Sequence, residues 1–366
     1  MSLSEKIEAT LVLSSFCETL GFHNGIWEFN FKTKTNNLNV ASSVNSRIIH
    51  QLISFGGISQ FNFTKFNSSD DTLLIVATCK GLIKTTNVVD NIKKEYIKII
   101  DKLKDNKRAS GIVTIKNIEN LINNISIPYS KYFGGNGATI RAIPIGLVYY
   151  NNLDELIKVS IKVGKLTHNY ILGYMGSFIG ALFTSYAIQN IMPWEWVNKL
   201  LEILLSNKMT DYMISINEID NYQKDIDIVI NLFSDYQERR INKFLHINDV
   251  FRLESSRWEF LLNYSPQVFD KLDKDYNKFG SNGIDVIIIA LDALLSAVSP
   301  NKKTVSWETL VYLSSLHFGD NDSTGALAGA WYGALFGYRN TFGQFDTLEF
   351  IDEIKIISKN LNNRIL

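Results

Sequence analysis

Apolar residues recur at helical spacing along almost the whole chain, whereas period-2 alternation over the length of a strand is hard to find. Residues 4–20 set Ile7, Leu11, Leu13, Phe16 and Leu20 close to one helical face. The same spacing predicts helices over 70–84, 90–104, 138–150, 153–167, 171–190, 194–206, 217–235, 284–298, 306–316, 323–338 and 346–361. The run "IDVIIIALDALLSA" could begin as a buried strand, but its length and alanine content favour a buried helix. Polar loops are expected around 30–45, 61–69 and 105–125, and no internal repeat or low-complexity linker divides the chain. With 366 residues, 46% of them hydrophobic, a large core can be buried, and one all-α domain over residues 1–366 is expected.

Charge and cysteine content remove several function classes. The 37 basic and 37 acidic residues cancel, so nothing recommends DNA or RNA as a general partner. Cys17 and Cys79 make neither a disulfide framework nor a zinc site. The N-terminus lacks a basic leader, and no stretch of 18 uncharged apolar residues is expected to cross a membrane. A cytoplasmic monomer with no membrane partner is the default expectation, although secretion by non-classical routes leaves no such mark.

Chemistry concentrates at loop-to-helix junctions. "HFGDNDSTGALAG" (317–329) crowds Asp320, Asp322, Ser323 and Thr324 before a run of small residues that lets a helix pack very close to its neighbours. One helix cap needs one such oxygen. Short-spaced oxygen ligands are also what a hard cation requires, and both readings stay open. A calcium loop beginning at Asp320 fails, because its twelfth position must bring a glutamate and is Trp331. "NSSDDTLLIVAT" (67–78) repeats the theme with Ser69, Asp70 and Asp71, where the helix dipole is expected to keep both acids ionised. Carboxylates from two distant junctions would suit two Mg²⁺ or Mn²⁺ ions in an all-oxygen site. A third junction, "FGGNGATIRAIPIGL" (133–147), frees N–H groups at Gly134, Gly135 and Gly137 for phosphate, or simply makes a tight turn. His168 and the "FGSNGID" turn (279–285) are further candidates for a cleft lined with donors.

Taken in order, these blocks resemble the ADP-ribosylglycohydrolase family, and within it the ADP-ribosylarginine hydrolase branch. "LGFHNGIWEF" (20–29), "SDDT" (69–72), "GGNGATIRAIPIGL" (134–147), "GKLTHN" with "GYMGSFIGALFTSYA" (164–187), "GSNGIDVIIIALDAL" (280–294) and "HFGDNDSTGALAGAWYGALFG" (317–337) are similar to successive blocks of that branch. The resemblance implies a single orthogonal helical bundle with a two-magnesium cleft that hydrolyses ADP-ribosylated proteins and releases ADP-ribose. It assigns the metals to Ser69, Asp70, Asp71, Asp320, Asp322 and Ser323, with Asp71 the most sensitive ligand. It makes Glu28 the general acid or base beside the distal ribose, although spacing alone would leave Glu28 a salt-bridging residue next to Trp27. ADP-ribose contacts fall to Gly134, Gly135, Asn136, Gly137, His168, Asn169, Gly280, Ser281, Asn282 and Gly283, with Tyr276 or Phe279 available to stack on adenine.

Cleaving an N-glycosidic bond builds oxocarbenium-like charge that nearby carboxylates stabilise, while metal ions orient the diol and a water. Departures from the family pattern touch substrate contacts more than metal ligands. "CETLG" places Cys17 and Glu18 where the family writes glycine and aspartate, "THNYIL" loses a histidine and a proline, and Ile284 replaces a histidine. Three functions follow as expectations: hydrolysis of ADP-ribosylarginine, hydrolysis of a serine or small-molecule linkage, or ADP-ribose binding with weak turnover.

Overall fold

The computed structural model describes residues 1–29, 38–243, 278–299 and 304–365, together with Arg257 and Leu261. Among these residues the chain is all-α apart from one short ribbon. The longer helices are α1 (Leu3–Phe22), α2 (Leu38–Ser54), α3 (Asp70–Ile83), α4 (Val88–Lys98) and α5 (Ile112–Ile122). Two short pieces follow, α6 (Gly137–Ile140) and α7 (Ile143–Val148), then α8 (Leu153–Lys165), α9 (Ile171–Ile188), α10 (Trp196–Leu205), α11 (Asn207–Ser215) and α12 (Ile219–Tyr236). The C-terminal part holds α13 (Asp285–Ala297), α14 (Trp307–Ser315), α15 (Asn321–Phe336) and α16 (Ile351–Ile365). Strands β1 (Val298–Ser299) and β2 (Thr304–Val305) pair antiparallel between α13 and α14.

At the centre α1 runs against α15, and α9, α13 and α14 enclose the same helix. Glycine makes that approach possible. A side chain on Gly329 would strike the Leu13 carbonyl and the Cys17 sulfur, and one on Gly21 would stand 2.7 Å from the Asn321 carbonyl oxygen. The small-residue stripe of 325–333 is therefore spent on backbone-to-backbone packing rather than on flexibility. Trp331 fills the far side, edge-on to Phe183 and Trp196 with ring centroids at 5.7 and 5.4 Å. Among the described residues a buried apolar cluster runs from Ile7 to Leu361.

Several expected boundaries move for physical reasons. The helix expected over 138–150 breaks between α6 and α7, because Pro144 has no N–H for the Ile140 carbonyl. The helix expected over 90–104 ends at Lys98 and is followed by a single turn, Ile100–Leu103. The expected loop at 105–125 contains α5, whose buried face includes Thr114 and Asn117 as well as Ile118, so its apolar pattern is weak. Helix α2 begins inside the expected 30–45 loop, of which residues 30–37 lie outside the described set. The 61–69 stretch is a loop as expected, with Asn62, Thr64 and Lys65 exposed, but it buries Phe61 and Phe63 beside His23 and Phe16. Helix α9 is uncharged over 18 residues with a mean hydropathy of 1.4, so such a stretch does exist, contrary to the sequence expectation. Every residue of it is buried, as in a core helix.

The α1–α15 contact yields a stability test. Gly329→Ala is expected to lower unfolding free energy by about 1–3 kcal/mol through overpacking. Gly111→Ala, whose new carbon would meet only Thr114 Oγ1 at 3.6 Å, should stay within about 0.5 kcal/mol of wild type. Urea unfolding of the two variants checks the contrast, and equal losses would contradict the packing account.

Candidate metal centre and ligand cleft

The turn after α1 decides where Glu28 lies. His23, Asn24 and Gly25 are left-handed in succession (φ 44°, 56° and 73°), which turns the chain back toward the segment preceding α3. Asn24 locks this return by donating to the Lys65 carbonyl at 3.1 Å and accepting the Asn67 N–H at 2.7 Å. Trp27 stacks on His23 at 3.8 Å and donates to Gln51 at 2.7 Å. The Phe29 N–H then donates to the Gly319 carbonyl at 3.0 Å, which draws Glu28 up to the second acidic motif.

At the start of α3, Ser69 acts as the N-cap and accepts the Asp71 N–H at 3.2 Å. Its own N–H and hydroxyl both donate to Glu18 Oε1 at 2.6 Å, while Thr19 donates to Glu18 Oε2 at 2.8 Å. Glu18 thus reaches from α1 to fix Ser69, a role the sequence marked only as a departure from pattern. Asp70 accepts a long bond from the Gly111 N–H, just ahead of α5, at 3.4 Å.

Asp320 takes the N-cap position of α15, yet its side chain caps no helical N–H. Its Oδ2 accepts from Asn136 Nδ2 at 3.0 Å. Oδ1 of Asp320 and Oδ1 of Asp322 are buried with no hydrogen-bond partner among the described residues. Capping therefore accounts for Ser69 but not for Asp320, while Asp322 meets the Ser323 N–H and still leaves its Oδ1 orphaned. His317 shapes the loop from below, with Nδ1 accepting the Gly319 N–H at 3.1 Å and Nε2 lying 2.6 Å from the Thr324 hydroxyl. Ser323 donates to Asp71 Oδ2 at 2.6 Å and so joins the two motifs directly. Oxygens of Glu28, Asp320 and Asp322 all lie within 4.8 Å of one another.

Such crowding is costly without cations. At that spacing two carboxylates repel by roughly 3 kcal/mol at an effective dielectric of about 20. No ion pair to Glu28, Asp70, Asp71, Asp320 or Asp322 forms among the described residues, and the buried Arg141 acts on Asp70 and Asp71 only from a distance. Burial first, and then Asp322, push the Asp70 carboxyl up to about 7. Burial and then Asp70 and Asp322 lift Asp71 well above the usual carboxylate range. The expected ionising effect of the helix dipole is outweighed here. Orphaned buried carboxylate oxygens beside serine hydroxyls form a donor set that fits hard divalent cations, so the residues present suit magnesium or manganese.

The glycine loops meet on one side of this cluster. Gly135 and Asn282 form an antiparallel bridge, with the Asn136 N–H donating to the Ser281 carbonyl at 3.2 Å and the Gly283 N–H to the Gly134 carbonyl at 3.0 Å. Asn136 also donates to the Gly280 carbonyl at 2.9 Å, which ties the loops to Asp320. His168 lies against Gly135 and Gly137. Asn169 instead turns its amide to the Ile127 carbonyl at 2.8 Å. Asn282 Oδ1 accepts the N–H groups of Ile284 and Asp285, each at 2.9 Å, and so caps the start of α13. Phe279 corrects the stacking expectation: it is 2% exposed, stacked on Phe318 and edge-on to His317, inside the protein rather than offered to a ligand. Tyr276 lies outside the described residues. The structure thus places Ser69, Asp70, Asp71 and Ser323 around the Glu28, Asp320 and Asp322 group, adds Glu18 and His317 behind them, and ties Asn136, expected at the ligand, to Asp320 as well.

Known proteins resemble this chain in sequence and in fold. Residues 2–344 match the family described as ADP-ribosylglycohydrolase. The chain is 30% identical to the Dictyostelium discoideum ADP-ribosylhydrolase ARH1, over 98% of this chain and 94% of that protein. It is 29% identical to an Acanthamoeba polyphaga mimivirus protein named as an ADP-ribosyl glycohydrolase, over 97% of this chain and 69% of the other. Over 56% of its length it is 26% identical to ADP-ribosylhydrolase ARH3 of Xenopus tropicalis, covering 52% of that protein. A solved structure titled ADP-ribosylglycohydrolase-related protein complex superposes with a TM-score of 0.60 at 15% identity, covering 100% of this chain and 99% of the other, and shows a shared fold.

The raised carboxyls set a pH dependence with a definite sign. Burial, followed by Asp322, pushes Glu18 up to about 7 against the opposing bonds from Ser69 and Thr19. Between about pH 4, where unfolded carboxyls ionise, and about pH 7, the folded chain holds protons that the unfolded chain has lost. Stability of the metal-free protein therefore falls as pH rises through that window. Calorimetry in EDTA and in millimolar Mg²⁺ should show a magnesium-induced gain in melting temperature that grows from pH 4 to pH 7. A gain independent of pH, or none, would contradict the charge-crowding account.

Proposed function

The chain belongs to the ADP-ribosylglycohydrolase family, and from that premise we propose that it is a Mg²⁺-dependent hydrolase that removes ADP-ribose from arginine side chains of modified proteins. The observation that carries this reading is the convergence of Glu28, Asp320 and Asp322 within 4.8 Å, at the seam where Ser323 meets Asp71. Arginine is favoured as the linkage by the "LGFHNGIWEF" turn, the segment that delivers Glu28.

Ser69, Asp70, Asp71, Asp320, Asp322 and Ser323 would hold two ions, with magnesium preferred and manganese acceptable to the same oxygen set. Bound there, magnesium supplies Lewis-acid stabilisation and orients the ribose hydroxyls and a water. The protein's own groups do the rest. Glu18 keeps the Ser69 hydroxyl proton turned away from the cluster, so the serine oxygen presents a lone pair to it. Burial first, and with no cation bound Asp322 and Asp320 as well, raise Glu28 well above the usual carboxylate range, and a buried carboxyl of this kind is suited to carry and pass a proton. The carboxylates around it stabilise positive charge that develops on the ribose as the C1–N bond breaks. Asn136, bonded to both Asp320 and Gly280, couples this centre to the glycine loops, where N–H groups suit the diphosphate.

A serine or small-molecule linkage is the second reading. It is favoured by Ile284, which is fully buried at the start of α13 and offers a substrate no side-chain hydrogen bond where the resembled family has histidine. ADP-ribose binding with weak turnover is the third, and product release separates all three.

Released ADP-ribose from an arginine-modified protein should require Mg²⁺ and be abolished by EDTA. Asp71→Ala should remove it, and Glu28→Gln should lower kcat by about 10²–10⁴-fold while leaving ADP-ribose affinity nearly unchanged. Release from a serine-modified peptide alone would move the assignment to the second reading. Binding without release from either substrate would overturn both hydrolase readings.

A further inference from the structure

Behind the glycine loop a short hydrogen-bond chain runs from α6 to the cleft. Arg141, fully buried at the end of α6, stacks over the Tyr96 ring at 4.9 Å. Its Nη2 donates to the Val163 carbonyl at 3.0 Å and to Thr167 Oγ1 at 2.6 Å. Thr167 Oγ1 lies 2.6 Å from His168 Nδ1. Asn117 on α5 holds the Thr167 carbonyl at 2.6 Å and so fixes this residue from the other side.

Donor counting sets the direction of the chain. Arginine can only donate, so the Thr167 oxygen accepts from it. The threonine hydroxyl then has one proton and one remaining partner, His168 Nδ1. If Nδ1 carried a proton instead, the fully buried Thr167 hydroxyl proton would have no acceptor. His168 therefore accepts at Nδ1 and carries its proton on Nε2. That atom lies 3.2 Å from the position a Cβ on Gly135 would take, and it has no protein partner among the described residues, although His168 is only 3% exposed. Burial, and secondarily the Arg141 charge, also keep the ring neutral.

Resting on the functional reading above, we propose that Arg141 and Thr167 are positioning residues that hold His168 as its Nε2–H tautomer, making it a fixed hydrogen-bond donor to a phosphate oxygen of a ligand diphosphate lying on the Gly134–Gly137 loop. A neutral donor locked in one tautomer serves an anionic ligand without changing charge near neutral pH. The opposite tautomer would present a lone pair to the phosphate and repel it.

Nitrogen NMR of the 15N-histidine-labelled, metal-loaded full chain tests the tautomer directly, with His168→Gln identifying the His168 signals. The expected wild-type pattern is a bare Nδ1 and a protonated Nε2 before any ligand is added. Thr167→Val should release the ring to a tautomer mixture and weaken ADP-ribose binding about tenfold, while Thr167→Ser restores both. A wild-type ring protonated at Nδ1 overturns the proposal. So does a Thr167→Val protein that binds ADP-ribose as wild type does while His168→Gln binds weakly. A wild type that fails to bind ADP-ribose overturns the ligand assignment, and the nitrogen shifts then judge the hydrogen-bond chain by itself.

Discussion

The cleft depends on the backbone contact between α1 and α15, where Gly21 admits the Asn321 carbonyl to 2.7 Å of the space a side chain would fill. Because the two helices meet there without side chains between them, the end of α1 and the start of α15 share one corner. Glu18 from α1, Ser69 from α3 and Asp322 from α15 then fall close enough for Asp322 to raise Glu18. The chain leaving α1 folds back through the left-handed run His23–Gly25, which brings Glu28 to Gly319. Close packing in the core and acidity in the cleft are therefore one design.

That design stores repulsion. Carboxylates packed at this density, with orphaned oxygens on Asp320 and Asp322, are poorly satisfied by protein alone. Divalent cations would supply the missing positive charge. The donor side of the cleft has the opposite character. There the Gly134–Gly137 and Gly280–Gly283 loops are bridged beside the buried His168, and Asn136 is bonded to both sides. Under the proposed function, one substrate with a negative middle and a ribose at its end would span the two.

Much of this was legible in the sequence. Helical periodicity gives the all-α class because most helices bury a broad apolar stripe, and the acidic junctions stand out because ordinary capping needs fewer oxygens than they carry. The unread parts have local causes. Helix α5 hides because its inward face spends Thr114 and Asn117 on contacts that look like loop residues, and Asn117 is a support of the Thr167–His168 pair. Pro144 divides a continuous apolar run that periodicity joins. Phe279 resembles an exposed ring beside a glycine turn, yet Phe318 and His317 enclose it. Glu18 and Asn136 act across 51 and 184 residues of sequence, a relation no local pattern carries.

The acids at the starts of α3 and α15, with Glu28 beside them, are expected to form a divalent-cation centre. Its most direct test is a crystal structure of the protein with Mn²⁺, read by anomalous scattering. Manganese peaks are expected between Asp70, Asp71, Asp320 and Asp322, with the orphaned Oδ1 atoms of Asp320 and Asp322 among the ligands. An ordered, folded crystal showing no peak there, with those oxygens bonded to water or protein, would contradict that expectation.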